Sequence, residues 1–282
     1  MNSKKFTAGR LEKAYKTACM AELQAIKPGN VHVFADGHGM TIDDFIHSAD
    51  VTADIIARAD LSLGERIFYA VEATQKTVGQ NTNLGVLLLC APIISAALHI
   101  ADGQSLQQSL DETLSKLTIN DAQMAAKAIV LANPAGLGEV EQYDVHEPPQ
   151  VTLYALMKTA QDKDRIAWQY ANNFQDIMTF GATRYSDAML RWENPAWAAT
   201  ALYLGFLSYV PDTHVVRKYG DAAAQALMQE ASDIELAYWE TDNPKLIQKR
   251  LLGWDASLKQ RGINPGTSAD FTVATLLASY LI

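Results

Sequence analysis

Residues 84–100 read LGVLLLCAPIISAALHI, the most apolar stretch of the chain, and their reading decides the fold. Seventeen residues that include Pro92, Ser95 and His99 are short for a membrane span, which needs roughly 20 apolar residues. A segment apolar on every side is then a helix at the centre of a protein, wrapped by others. The flanking sequence supplies the wrapping. Leu11, Ala14, Ala18, Ala21 and Ala25 mark a first helix, stopped by Lys27, Pro28 and Gly29. Thr41 and Asp44 form a capping box ahead of Ile42, Phe45, Ile46, Ala49, Ala53 and Ile56 on one face. A third helix runs from about Glu65 with Ile67, Ala70, Val71, Thr74 and Val78 inward, and Thr118 caps another with Ile119, Ala122, Ala126 and Ile129 inward.

Further along, Asn194 before Pro195 and Asn243 before Pro244 each read as a helix start, with the stripe Leu227, Ala231, Ile234 and Tyr238 between them. A last helix follows NPGTSAD (264–270) and closes the chain. No segment alternates apolar and polar residues as a strand would, so the chain predicts an all-α protein. Residues 133–150, with three Pro, two Gly and the acidic series Glu139, Glu141, Asp144 and Glu147, form a long irregular loop and a possible internal division. Apolar helical faces continue on both sides without a shift in composition, which favours one helical bundle domain spanning 1–282.

Composition narrows the function. In 282 residues, 49% hydrophobic and 20% charged, there is ample material for a core. The 23 Lys and Arg against 32 Asp and Glu give a net charge of −9, which argues against a nucleic-acid surface, so any polyanion must be held by a few local cations and backbone amides. Cys19 and Cys90 stand alone, which excludes a disulfide framework and a cysteine zinc site. The charged amino terminus lacks the apolar segment of a signal peptide and predicts a cytoplasmic protein.

The familiar catalytic motifs, GxxxxGK[ST], HExxH and GxSxG among them, are absent. Chemistry therefore falls to four polar turns: KPGNVHVFADGHGM (27–40), QNTNLG (80–85), PDTHVVRKYG (211–220) and INPGTSAD (263–270). Asn81, Thr82 and Asn83 enter the apolar helix where unpaired amides and the helix dipole favour an anion, although a plain N-cap needs only one Asn. In the last turn Ser268 reads as a cap with Asp270 in the first helical turn. Lys27 offers a cation, and His32, Asp36 and His38 offer a metal or proton site or only a solvated loop. Asp212 beside Arg217 suits Mg²⁺ with polyphosphate, or forms a surface ion pair. Glu72 has Lys76 four residues on, the spacing of a helical salt bridge.

Taken in order, these turns resemble the triphosphoribosyl-dephospho-coenzyme A synthase family: Lys27-Pro28-Gly29, Asn81-Thr82 with Gly85 before an apolar helix, Asp212-Thr213 with Arg217, and Asn264-Pro265-Gly266 with Ser268-Ala269-Asp270. The resemblance spans Lys27 to the carboxyl terminus. It implies an all-helical, Mg²⁺-requiring transferase that joins C1 of the ATP ribose to a ribose hydroxyl of 3′-dephospho-coenzyme A and releases adenine. Under it Lys27, Arg66, Asn81, Thr82, Asn83 and Arg217 bind phosphates. Asp212 and Asp270 hold the metal or stabilise the sugar cation, and Glu72 is a weaker acid or base.

The chain departs from the pattern at Asn83-Leu84-Gly85, where His-Lys-Gly is expected, and at Asp212-Thr213-His214, where Asp-Thr-Asn is expected. In these and in residues 133–150 it resembles a divergent branch from methanogens and methylotrophs. That branch implies as an alternative acceptor an intermediate of a one-carbon carrier cofactor of the methanopterin or methanofuran type. A helical scaffold that keeps the turns only as caps is the non-catalytic alternative.

Overall fold

The computed structural model describes residues 6–134 and 148–282. It is all-α, as the sequence predicts. The helices are α1 (Ala8–Gln24), α2 (Ile42–Ala57), α3 (Leu63–Val78), α4 (Leu84–His99), α5 (Leu106–Ser115), α6 (Ile119–Ala132), α7 (Leu153–Ala160), α8 (Arg165–Ala171), α9 (Ala182–Trp192), α10 (Pro195–Tyr209), α11 (Thr213–Tyr219), α12 (Asp221–Glu240), α13 (Gln248–Gln260) and α14 (Gly266–Leu281). No sheet forms among the described residues; two isolated bridges, His32 with Ala35 and Gly37 with Met40, pin the loop after α1. Among those residues no helix is long and apolar enough to cross a membrane.

The apolar segment is the core helix α4, buried without a break from Val86 to Ala97. Pro92 sits inside it, and a proline there has no N–H to give the carbonyl four residues back. That carbonyl, on Leu88, instead accepts the hydroxyl of Tyr170 from α8 at 2.6 Å. The interruption in α4 thus becomes the point where α8 is tied to the core. The second apolar helix, α14, packs against α1, α4 and α10, so the two most buried helices lie side by side.

Helix starts follow their caps. Thr41 with Asp44, Ser62 with Glu65, and Thr118 with Asp121 each form a capping box. Three boundaries differ from the sequence reading. Asn243-Pro244 opens only a 3-10 turn, Pro244–Leu246, before α13. Helix α14 begins at Gly266, so Ser268 is its third residue rather than its cap. A π-helical turn, Asp176–Gly181, precedes α9 without an evident sequence signal. Of the loop 133–150, residues 135–147 with Glu139, Glu141, Asp144 and Glu147 lie outside the described residues. The helices flanking it, α6 and α7, pack on each other.

Candidate active site

Four helix N-termini meet at one place. A Cβ on Gly85, in the first turn of α4, would overlap the Asp270 carboxyl of α14 and lie 3.0 Å from Ile166 of α8. The amide of Arg165, the first residue of α8, donates to Thr213 Oγ1 at 3.4 Å. Thr213, the first residue of α11, has its hydroxyl 3.1 Å from that of Thr267 in α14. Each N-terminus carries partial positive charge, and together they make an anion-binding pole inside an acidic protein.

Three of the four ends are closed by carboxylates. Asp164 caps α8 by accepting from the amides of Ile166 and Ala167 at 2.9 and 3.1 Å. Asp212 closes two helices. Its Oδ1 accepts from the amides of His214 and Val215 at 3.0 and 3.2 Å, and its Oδ2 accepts both the amide and the hydroxyl of Ser268 at 2.8 Å. The cap that the sequence assigns to Ser268 thus comes from Asp212, 56 residues away. The fourth end, that of α4, is open. Its N-cap residue Asn83 makes no side-chain capping bond, and the Asn83 Nδ2 is buried without a partner; only Asn81 Oδ1 reaches the Leu84 amide, at 3.1 Å.

Asp270 projects into this convergence half-buried, and among the described residues its carboxyl has no hydrogen-bond partner. Desolvation, then the charges of Asp212 and Glu22, hold it well above the usual carboxylate range. Burial and its acidic neighbours thus favour the protonated form of Asp270. Arg217 stands over the same place, ion-paired with Asp164.

Lys27 reaches the site from the other side. Its ammonium, fully buried, is paired with Glu22 and donates to Asn30 Oδ1 at 3.0 Å. Burial pushes Lys27 down and Glu22 up, each opposed by the other's charge, and Asp270 is among the charges that act on Lys27. The turn that carries Lys27 is locked to the turn before α14. Asn30 Nδ2 donates to Asn264 Oδ1 at 2.7 Å, Tyr203 donates to the Pro28 carbonyl at 2.7 Å, and the Gly29 amide donates to Asp255 Oδ1 at 2.8 Å. Gly29 has φ +85°, and a Cβ there would fall 2.8 Å from Pro265 Cδ. Asp255 also accepts from Lys259 at 3.0 Å and lies 3.5 Å from His32 Nε2. Although burial pushes the Asp255 carboxyl up, hydrogen bonds from His32, Gly29 and Lys259 hold it below its ordinary value.

The structure thus brings together Lys27, Asn81, Thr82, Asn83, Asp212, Arg217 and Asp270, with the Thr82 hydroxyl bonded to Ser48 of α2. It leaves two expected residues elsewhere. Arg66 is fully buried and its guanidinium donates to the carbonyls of Ile56 and Leu61, closing the end of α2, so it is not placed to bind phosphate. Glu72 lies on the outer side of α3 in a 2.9 Å salt bridge with Lys76, the helical pair its spacing allowed. His32 Nδ1 accepts from the Phe34 amide at 3.3 Å, Asp36 Oδ1 accepts from the Ile42 amide, and His38 donates to the Gly29 carbonyl, so these three side chains fold the turn that carries Lys27. Among the described residues no group of three or more His, Cys, Asp or Glu gathers to hold a metal ion.

Glu22, Asp164 and Asp255 escaped the sequence reading. One signal was available for Glu22: it falls on the stripe of Leu11, Ala18 and Ala25, where a core residue belongs. A carboxylate at such a position needs a buried partner, and the nearest cation downstream is Lys27.

Comparison with known proteins bears on the fold and the family. A crystal structure from Archaeoglobus fulgidus, provisionally described as a triphosphoribosyl-dephospho-CoA synthase, superposes with a TM-score of 0.63 over 85% of this chain and 97% of its own, at 22% identity. At that identity the likeness establishes the shared fold. No curated protein sequence gives a significant match. The CitG family, described as ATP:dephospho-CoA triphosphoribosyl transferase, matches residues 8–282, and the chain belongs to that family.

Proposed function

We propose that the four converging N-termini hold the triphosphate of ATP and that Asp270 carries the proton in the triphosphoribosyl transfer of this family. The observation that carries this is the open end of α4, with the buried, unpartnered Asn83 Nδ2, beside the unbonded carboxyl of Asp270. An N-terminus whose cap residue makes no capping bond, with only the Leu84 amide met by Asn81, has donors to spend on an anion. Asn83 supplies a neutral donor where the family pattern has His-Lys, so the positive charge comes from Lys27 and Arg217.

Both cations already have carboxylate partners, Glu22 and Asp164. The triphosphate therefore arrives with its own Mg²⁺. Asp212, the first expected metal ligand, has its oxygens committed to four donors, and Asp270 is given to the proton, so neither is left as a resident metal ligand. Such a donor set fits an ion held chiefly by substrate phosphates and water, not a resident one.

In the transfer the bond between the ATP ribose C1 and the adenine nitrogen breaks while C1 gains oxocarbenium character, as in glycoside hydrolysis. Neutral Asp270 gives its proton to the departing adenine. Its carboxylate then takes the proton of the acceptor's ribose hydroxyl as the oxygen bonds to C1. Adenine thus leaves with the proton that Asp270 held, and the hydroxyl proton restores Asp270 to its neutral form. The acceptor is dephospho-coenzyme A, as the family description implies, and the two buried free cysteines suit a cytoplasmic site of action.

The test is to incubate the protein with ATP, Mg²⁺ and dephospho-coenzyme A and to follow bases and nucleotides by chromatography. Adenine should appear in step with consumption of dephospho-coenzyme A. Release of ADP or AMP in its place sinks pentosyl transfer.

A further inference from the structure

A cavity of about 340 Å³ opens beside the N-terminal convergence, against the π-helical turn Asp176–Gly181. π-Helical turns frequently mark functional sites, and this volume falls in the range of small-ligand pockets. Phe180 of that turn and Tyr209, at the end of α10, both line it and stack with ring centroids 4.2 Å apart and planes 12° apart. Tyr209 is 50% exposed, so the stack runs out to the cavity.

The polar lining decides what the cavity takes. Asp176 is consumed by Arg165, at 2.8 and 3.1 Å, and by Gln169 at 2.6 Å; Arg184 is ion-paired with Glu235, and its guanidinium lies 4.9 Å from the Trp239 ring and 5.9 Å from that of Phe180. Gln175, Thr179, Thr183 and Asp187 remain on the exposed rim. With Arg184 paired to Glu235 and the Asp187 carboxylate on the rim, the lining carries no net positive charge, which does not suit a phosphate. It suits a flat uncharged heterocycle that bears an amino group.

The cavity also lies within reach of the chemistry. Tyr209 is three residues from Asp212, a span of no more than about 11 Å. On the opposite wall Asp176 holds Arg165, whose amide bonds Thr213 at the mouth of the convergence. In the transfer set out above, on which this step rests, the attacking hydroxyl belongs to a ribose that itself carries adenine. That base must lie one sugar away from the reacting carbon, apart from the leaving base.

We propose that the cavity is the acceptor's base site, in which the adenine of dephospho-coenzyme A stacks on Tyr209 with its edge against Gln175, Thr179, Thr183 and Asp187. Stacking on one aromatic ring supports roughly a tenfold effect or more in affinity. Tyr209→Ala and Thr179→Trp, which fills the cavity, should each raise KM for dephospho-coenzyme A at least about tenfold, with kcat and KM for ATP within about twofold. Tyr209→Phe should behave as wild type. A rise in KM for ATP instead would assign the cavity to the leaving base and overturn the proposal, as would unchanged kinetics in both variants.

Should the wild-type protein release no adenine, the transfer reading has failed, and the cavity is then tested by calorimetric titration with dephospho-coenzyme A. Weaker binding to Thr179→Trp, with an unchanged melting temperature, supports the base site. Equal binding, or none to either protein, overturns it.

Discussion

Two buried aspartates, Asp121 and Asp212, do the same structural work in two regions of the molecule. Asp121 completes the capping box of α6, accepting from the amide and hydroxyl of Thr118 at 2.8 and 2.7 Å, and its other oxygen accepts from the Gly64 amide of α3 at 2.8 Å. Asp212 caps α11 with one oxygen and α14 with the other. Each clamps two helix starts together. The joint at Asp121 is closed: a Cβ on Gly64 would fall 2.5 Å from the Asp121 Cα. The joint at Asp212 lies beside an open one, where Asn83 makes no capping bond to α4 and, among the described residues, Asp270 has no hydrogen-bond partner. A buried, fully bonded carboxylate is thus a mark of construction, and the unbonded group next to it is the mark of chemistry.

The comparison breaks first at Asp270. Replacing it by Asn removes the proton carrier and should lower kcat by about 10³, within the range of general acid–base contributions. The same change should stabilise the fold. Because desolvation and the charges of Asp212 and Glu22 raise the Asp270 pKa, ionising it costs folding energy that Asn does not pay. Below the usual carboxylate pKa of about 4 the group is neutral whether folded or unfolded, and the variant gains nothing. As pH rises above that value the unfolded chain ionises first and the wild type loses ground, until the folded pKa is passed. Thermal melts of both proteins at pH 4 and pH 8 should show the gain only at the higher pH. A variant less stable than wild type at pH 8 would mean that Asp270 is a structural group like the other two.

Asp212 and Asp121 form the second pair. Asp212→Ala and Asp121→Ala should each destabilise the protein by about 1–3 kcal/mol in urea unfolding, the cost of lost caps and buried charged hydrogen bonds. Only the first should harm catalysis. With α11 and α14 released from each other, Asp270 and Arg217 lose register, and kcat/KM should fall about 100-fold. If Asp121→Ala costs as much activity, after allowance for unfolded protein, the contrast between the two regions disappears.

Asn83 is the third test and the one in which stability and function part most clearly. Its Nδ2 has no partner to lose, so Asn83→Ala should leave the melting temperature unchanged or slightly raised. A donor to a charged phosphate would be gone, and KM for ATP should rise about tenfold. A large fall in stability without an effect on ATP would return Asn83 to the ordinary role of a cap.

Much of this arrangement was legible in the sequence, because it is built from local signals. The capping boxes at Thr41 and Thr118, the Pro-Gly stop after Lys27 and the breaks before Leu84 and Asp270 are written within a few residues of where they act. Partnerships across the chain were not legible. Nothing near Ser268 shows that its amide will be capped by Asp212, and nothing near Gly29 shows that Asp255 will hold it. Arg66, which only the family resemblance brought in, shows the same limit: the packing of α2 against α3 gives it carbonyls to hold.

Glu72 marks the lower limit of the series. It shares with Asp270 only its type of side chain: it stands on the outer side of α3, 38% exposed, with the Lys76 ammonium 70% exposed beside it. An exposed pair of this kind is worth little, since water screens both charges and two long side chains must be ordered to make it. Glu72→Gln should therefore change stability by less than about 0.5 kcal/mol and leave adenine release within about twofold of wild type. A pH–rate profile makes the result decisive. If Glu72 moved a proton in the reaction, its substitution would remove one limb of the profile, whereas a bystander leaves both limbs in place. Loss of a limb in Glu72→Gln, with Asp270→Asn still active, would shift the acid from the convergence of helix starts to the surface of α3 and undo the contrast between bonded and unbonded carboxylates.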